Sequence, residues 1–91
     1  MDLNKFIAEF VGTFIFLGVI LATGEAISVG IALITVIFLF GRVSGGHFNP
    51  AVSTLFYAKG DINVNQLGSN VVAQVLGGLC ALAWYKQTQK K

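Results

Sequence analysis

The protein is a chain of 91 residues, of which 55% are hydrophobic and only 11% are charged. A soluble domain carries roughly 25% charged residues, so this composition indicates a membrane protein. The net charge of +2 comes with no basic patch, which argues against a nucleic-acid partner. At ~20 residues per membrane-spanning helix, about four spans fit at most, too few to enclose a pore. Any transport function therefore requires more than one chain.

The first predicted span covers residues 5–23, with Lys5 and Thr23 at its ends, and residues 6–21 are apolar except for Glu9 and Thr13. Its length suits a membrane span. It is preceded by Asp2 rather than by a basic cluster, and no convincing small-residue cleavage site follows it. We therefore predict a membrane helix here rather than a cleaved secretory signal peptide.

Two further apolar segments complete the predicted spans. The second, residues 26–41, follows a polar break at 23–25 and stops at Arg42. The last, residues 67–85, ends in Trp84 and Tyr85, which suit the aromatic belt at a membrane surface. Together with the first segment, they predict a multi-pass integral membrane protein.

Residues 43–58 lie between the second and third spans and predict a re-entrant loop and half-helix. The glycine-rich loop cannot face lipid, because its backbone polar groups would lack partners there. Asn49 is a favoured N-cap and Pro50 a favoured first helical residue, so a helix should begin at Pro50. Residues 50–58 would measure about 13 Å, less than half of a ~30 Å hydrocarbon core. The predicted fold class is all-α, with three transmembrane helices and one half-helix.

The start of this half-helix predicts a site near the bilayer midplane. A helix N-terminus carries the positive end of the helix dipole, which repels cations and protons. Asn49 can cap the helix with its carbonyl oxygen while its amide N–H groups donate to a passing water or hydroxyl oxygen. The pattern therefore favours uncharged solutes.

The segment Ser-Gly-Gly-His-Phe-Asn-Pro-Ala-Val-Ser at residues 44–53 resembles the first signature loop of the aquaporin (major intrinsic protein) family. Residues 8–14 resemble the first helix of that family, and residues 73–78 its third. The family has two inverted repeats in one chain, whose Asn-Pro-Ala ends meet at mid-pore. Residues 1–91 resemble one repeat, so the resemblance implies half of an aquaporin fold and a passive channel without enzymatic activity or cofactor.

The resemblance also implies which residues line the pore: Asn49, Pro50, Ala51, Gly45, Gly46, His47, Val29 and Val52. In the second repeat of the family an Arg usually follows Asn-Pro-Ala, whereas here Val52 does, which matches the first repeat. Val29 takes a position where water channels usually carry an aromatic residue. Both departures imply a wide, weakly polar constriction, which admits glycerol or another small uncharged solute as well as water.

Three polar residues of the predicted spans are expected to support the loop: Glu9, Thr13 and Gln74. Glu9 and Thr13 share one helix face, and in the family the matching Glu accepts hydrogen bonds from the re-entrant loops. Asn70 and Gln74 are predicted to form interhelical hydrogen bonds. For His47 a structural role is favoured over pH gating.

Small residues repeat every fourth position on the last span and predict a close contact with another helix. They are Ser69, Ala73, Gly77 and Ala81.

A single repeat would expose its loop on one side, so a partner is required. The predicted topology places three Lys or Arg side chains on each side of the membrane: Lys5, Arg42 and Lys59 against Lys86, Lys90 and Lys91. The positive-inside rule then gives no preferred orientation. We therefore expect dual topology and an antiparallel homodimer. The family commonly assembles four pores side by side, so the resemblance also allows a higher oligomer of such dimers.

Two alternatives remain open at the level of the sequence. The chain could be a truncated, inactive half-channel, or a membrane interaction protein that pairs with a full-length channel. Glu9, His47 and Cys80 form no recognisable nucleophile or metal constellation, so no metal site and no enzyme are predicted.

Overall fold

The structure, a computed structural model, describes residues 1–90, and Lys91 lies outside the described residues. It contains four helices: α1 (Leu3–Thr23), α2 (Ala26–Ser44), α3 (Pro50–Lys59) and α4 (Val64–Thr88). Three of them, α1, α2 and α4, are long and apolar enough to cross a membrane, whereas α3 has only 10 residues. The predicted fold class of three spans and one half-helix is confirmed.

The ends of the helices follow from local capping. Asp2 and Asn63 cap α1 and α4, each accepting a hydrogen bond from the backbone N–H three residues on, at 3.1 and 2.8 Å. Glycines in the left-handed region end the first three helices, at Gly24, Gly45 and Gly60. Helix α4 is longer than the predicted span at 67–85, because it begins at Val64, includes the polar Asn65 and Gln66, and continues past Tyr85 to Thr88.

Helix α1 is the centre of the packing, with α4 along one side and α2 along the other, while α3 packs on α4. The contact between α1 and α4 depends on small residues of α4, since Ala73 and Ala81 are fully buried and Gly77 is buried between them. A Cβ atom added at Gly77 would lie 2.6 Å from the backbone oxygen of Phe10. The predicted close helix contact is therefore present between α4 and α1.

Replacing Gly77 by Ala should separate α1 from α4, because the added methyl group meets backbone rather than a movable side chain. Overpacking of this kind costs about 1–3 kcal/mol. Gly68→Ala is the matched control in the same helix, because a Cβ there meets nothing within 4 Å. That control should be neutral or stabilise α4 by up to about 1 kcal/mol. Reversible unfolding in mixed detergent gives the free energy of unfolding of both variants. Equal values for Gly77→Ala and Gly68→Ala would contradict the close contact.

Candidate functional site

The site is built around the start of α3, where the loop from α2 ends. The Asn49 side-chain oxygen accepts a hydrogen bond from the backbone N–H of Ala51 at 2.8 Å, and Pro50 is the first helical residue. The predicted helix start at Pro50 is therefore confirmed. Asn49, Pro50 and Ala51 are all exposed. Within residues 1–90 the Asn49 amide NH₂ group makes no hydrogen bond, so it remains available as a donor.

Glu9 of α1 holds the loop that leads to this helix start. One carboxylate oxygen accepts from the Ser44 hydroxyl at 2.6 Å and from the backbone N–H of His47 at 3.2 Å. The other accepts from the backbone N–H of Phe48 and from the Gln74 amide, both at 2.8 Å. Glu9 is fully buried. All four contacts are donors, an arrangement that suits a carboxylate and replaces the water it would otherwise bind.

Ser53 connects the half-helix to α4. Its hydroxyl oxygen lies 2.8 Å from Nδ1 of His47 and accepts from the amides of Asn70 at 3.2 Å and Gln74 at 3.0 Å. Asn70 also accepts from the Gln66 amide at 2.6 Å. The predicted interhelical bonds of Asn70 and Gln74 are therefore present, directed at α3 as well as α1. Ser53 is fully buried, and the sequence analysis did not single it out. Its position one turn after the N-cap, facing a polar i, i+4 pair on α4, is the signal that could have found it.

His47 is enclosed by side chains of α3 and α4. Its ring stacks on Phe56 with centroids 4.9 Å apart and an interplanar angle of 14°. Nδ1 is engaged by Ser53, and Asn70 lies 3.3 Å from the same nitrogen. On the surface side, the Lys59 ammonium lies 5.8 Å from the Phe56 ring centroid. These contacts fix the orientation of the His47 ring in the loop.

Phe48 was also missed by sequence reasoning, and it sets the position of Asn49. It is 2% exposed and has a left-handed backbone with φ +54°, a conformation that bulky residues rarely adopt. Its ring packs directly on the bare backbone of Gly12 and makes an edge contact with Phe40, with centroids 6.5 Å apart. Gly12 is the tenth of the 21 residues of α1, so the tip of α3 lies level with the middle of that span.

The remaining predicted site residues lie on α1, in the loop, on α3 and on α2. Thr13 is 1% exposed, and its hydroxyl has no hydrogen-bond partner among the described residues. Gly45 and Gly46 form the loop, both with positive φ. Val52 is half-buried in the first turn of α3. Val29 lies near the start of α2, the end opposite to the loop, so the structure does not bring it beside Asn49.

A groove continues from the tip of α3 between α1 and α4. Its volume is about 520 Å³. The end of the groove nearest to the tip of α3 is lined by Asn49, Pro50, Thr13 and Gln74. The rest of the groove is lined mainly by apolar side chains, among them Leu17, Ile20, Leu21, Val75, Leu79 and Leu82. The groove therefore begins where α3 begins and leads away from it.

Comparison with known proteins places the chain in a family. The sequence model described as "Major intrinsic protein" matches residues 1–91. Glycerol uptake facilitator protein-like 6 of Lactiplantibacillus plantarum is 40% identical over 93 residues, covering 92% of this chain and 43% of that protein. Aquaporin Z of Brucella melitensis is 41% identical over 96 residues, covering 89% of this chain and 42% of that protein. Aquaporin Z of Rhodopseudomonas palustris is 36% identical over 98 residues, covering 91% of this chain and 41% of that protein.

The chain thus spans about two fifths of the length of the curated relatives it matches. No solved structure gives a significant match. The family consists of integral membrane channels, in agreement with the three membrane-spanning helices. The match over the whole sequence shows that this chain belongs to the major intrinsic protein family, as the residues of its loop and helices predicted.

Proposed function

We propose that two copies of this chain, inserted in opposite orientations, form a passive channel for water and small uncharged solutes such as glycerol. The observation that carries the proposal is the exposed tip of α3, where Asn49 presents a free amide at the level of the middle of α1. Relatives named as a glycerol uptake facilitator and as aquaporins support the solute class. No step of the transport requires catalysis.

The surface that these residues leave uncovered calls for a partner, which we propose to be a second copy. The tip of α3 and the groove beyond it are open on one side, and irregular polar backbone at membrane depth must be covered by protein or line a water-filled space. In the proposed topology Lys5, Arg42 and Lys59 lie on one side of the membrane, and Lys86, Lys90 and Lys91 lie on the other. Equal numbers of cationic residues favour insertion in both orientations.

In the proposed channel a solute sheds part of its hydration and follows backbone acceptors of residues 45–47. At the centre its oxygen accepts hydrogen bonds from the Asn49 amides of both copies. Ions are excluded by the cost of dehydration and by two helix N-termini that face each other. Val29 and Val52 contribute apolar walls to the two mouths, which is why the proposal includes solutes larger than water.

Orientation is tested by labelling single cysteines placed at residues 2 and 90 in a Cys80→Ser background, with a reagent that cannot cross the membrane. We expect each site to be labelled in about half of the molecules in sealed vesicles, and in all of them after permeabilisation. A uniform orientation, with one site labelled fully and the other not at all, would rule out the antiparallel pair. It would leave pairing with a different, full-length channel as the arrangement to examine.

Asn49→Asp should convert the proposed solute site into a cation site. A carboxylate at the centre removes the amide donors, and a unit charge about 4 Å from a cation stabilises it by roughly 4 kcal/mol at an effective dielectric of 20. We expect slower glycerol and water flux together with a measurable cation leak in reconstituted vesicles. The exposed Asn4 is the matched control, since Asn4→Asp lies outside the site. Unchanged flux and unchanged ion exclusion in Asn49→Asp would contradict a mid-pore role for Asn49.

A further inference from the structure

The buried hydrogen bonds around Ser53 run in one direction, which Glu9 determines. An ionised carboxylate only accepts hydrogen bonds, so the side-chain nitrogen of Gln74, rather than its oxygen, faces Glu9 at 2.8 Å. The same nitrogen lies 3.0 Å from the hydroxyl oxygen of Ser53. An amide nitrogen carries two N–H groups, one for each of these two acceptors. Gln74 therefore donates to Ser53.

Asn70 places a second donor on the same hydroxyl oxygen. Its side-chain oxygen accepts from the Gln66 amide at 2.6 Å, which leaves its nitrogen 3.2 Å from the oxygen of Ser53. A hydroxyl oxygen has two lone pairs, and both are used once Asn70 and Gln74 donate to it. Ser53 can therefore bind a further neighbour only by donating its own proton.

The acceptor for this proton is the ring of His47. Nδ1 lies 2.8 Å from the Ser53 oxygen, within the usual range of hydrogen-bond lengths. A helical serine can instead donate to the carbonyl oxygen four residues earlier, as the neighbouring Thr54 does to Pro50 at 2.8 Å. Ser53 makes no such bond to Asn49 within the described chain. Nδ1 is therefore the acceptor, and it carries no proton itself.

The other ring nitrogen of His47, Nε2, then carries the proton of the neutral imidazole. A Cβ atom added at Gly45 would lie 3.3 Å from Nε2, and Gly45 itself is exposed. Nε2 makes no hydrogen bond within residues 1–90. The ring cannot turn freely, because it stacks on Phe56 and is bound to Ser53 at Nδ1. The Nε2–H group is thus a free donor beside the loop.

We propose that Ser53 is a positioning residue that keeps the ring proton of His47 on Nε2 and so presents an N–H donor beside Gly45. This inference rests on the proposed channel and adds to it a donor on the approach to Asn49. The backbone carbonyls of residues 45–47 supply acceptors at the same level. A solute hydroxyl group can therefore donate to the loop and accept from His47 at once, which replaces both kinds of hydrogen bond that it loses on leaving water.

Nitrogen NMR on the folded, detergent-solubilised chain locates the ring proton without any measurement of transport. His47 is the single histidine of the sequence, so labelling histidine alone gives one pair of ring-nitrogen signals, which are distinguished by their couplings to the ring C–H protons. We expect a protonated Nε2 and an unprotonated, hydrogen-bonded Nδ1 at neutral pH. A proton on Nδ1, whether alone, in addition to that on Nε2 or in an even mixture of the two forms, would overturn the proposal.

Substitutions at Ser53 and Asn70 test what holds the proton in place. Ser53→Ala should shift the Nδ1 signal toward that of a ring nitrogen without a hydrogen bond, and Ser53→Thr, which keeps the hydroxyl, should restore it. In Asn70→Asp a carboxylate oxygen can accept the Ser53 proton, so we expect the ring proton to move to Nδ1. Asn65→Asp, at an exposed position of the same helix, is the matched control and should leave Nε2 protonated.

Spectra of Ser53→Ala and Asn70→Asp that are identical to the spectrum of the unmodified chain would show that Ser53 does not hold the proton. Where a variant does not fold, the measurement on the unmodified chain remains decisive.

Glycerol flux in vesicles separates this inference from the proposed channel. A hydrogen bond of ordinary net strength corresponds to a change in rate of about two- to tenfold. We expect flux to fall on this scale in His47→Phe and in Asn70→Asp, and to remain unchanged in Asn65→Asp. If the unmodified chain conducts glycerol with the ring proton on Nδ1, this inference fails and the channel stands.

Two other results are equally informative. If the ring proton lies on Nε2 and no glycerol passes, the channel fails and the assignment of the proton stands. If the proton moves to Nδ1 in Asn70→Asp and glycerol still passes as fast as through the unmodified chain, solutes do not use the Nε2–H donor and its proposed role is overturned.

Discussion

Replacing Glu9 by Gln is expected to release the re-entrant loop and to destabilise the fold by several kcal/mol. The carboxylate accepts from two backbone N–H groups, those of His47 and Phe48, on different oxygens. A glutamine has only one acceptor oxygen, so whichever way its amide turns, its NH₂ group faces one of these backbone donors. An orphaned buried N–H costs about 1–3 kcal/mol, and hydrogen bonds to charged groups are worth about 1.5–3 kcal/mol each.

The hydroxyl of Ser44 can rotate to relieve its own contact, and the amide of Gln74 can turn over, but a backbone N–H has no such freedom. Glu25→Gln is the matched control, because Glu25 is exposed and its carboxylate accepts, among residues 1–90, only from the Ser28 hydroxyl. The free energy of unfolding in mixed detergent and the glycerol flux in vesicles should both be lower in Glu9→Gln. Both should remain unchanged in Glu25→Gln. Similar behaviour of the two variants would show that Glu9 does not hold the loop.

Gly12→Ala is expected to displace the tip of α3 through Phe48. The added methyl group would overlap the Phe48 ring, which is buried and held by a left-handed backbone. Because the Phe48 ring is buried among packed neighbours, we expect the added methyl group to displace the backbone of Phe48 and with it the adjacent N-cap, Asn49. Overpacking alone costs about 1–3 kcal/mol of stability. We also expect a marked loss of solute flux, because the displaced residue, Asn49, belongs to the proposed pore.

Two further variants make this prediction specific. Gly30→Ala is the control, since a Cβ there meets nothing within 4 Å. Gly12→Ala combined with Phe48→Leu should recover part of the flux, because the smaller side chain leaves room for the methyl group. If the double variant is no better than Gly12→Ala, or if Gly12→Ala matches Gly30→Ala in vesicle flux, the positioning role of Phe48 is incorrect.

Much of the fold follows from local features of the sequence. The start of α3 was predictable because Asn49 and Pro50 satisfy helix-capping rules without reference to the rest of the chain. The break at Thr23–Glu25 likewise ends α1 at a left-handed glycine, Gly24. Hydropathy identifies the apolar part of a span but not its polar turns, and α4 accordingly extends from Val64 to Thr88.

The tertiary contacts of the site were less accessible from the sequence. Ser53 and Phe48 acquire their roles from neighbours that are distant in the chain, Gln74 and Gly12 respectively. A hydroxyl in a helix or a phenylalanine in a loop carries no sign of such a partner by itself. The family resemblance indicated that Glu9 supports the loop, but only the geometry shows that it does so through four donors.

Osmotic measurements on vesicles are the direct test of the proposal that this chain forms a channel without any other protein. Purified chain is reconstituted into liposomes without any other protein, and stopped-flow light scattering follows shrinkage in impermeant solute and re-swelling in glycerol. We expect faster water and glycerol movement than in protein-free vesicles, with ion exclusion retained, and a loss of this effect in Glu9→Gln. Rates equal to those of protein-free vesicles, from a chain shown to be folded and inserted, would rule out a channel made of this chain alone.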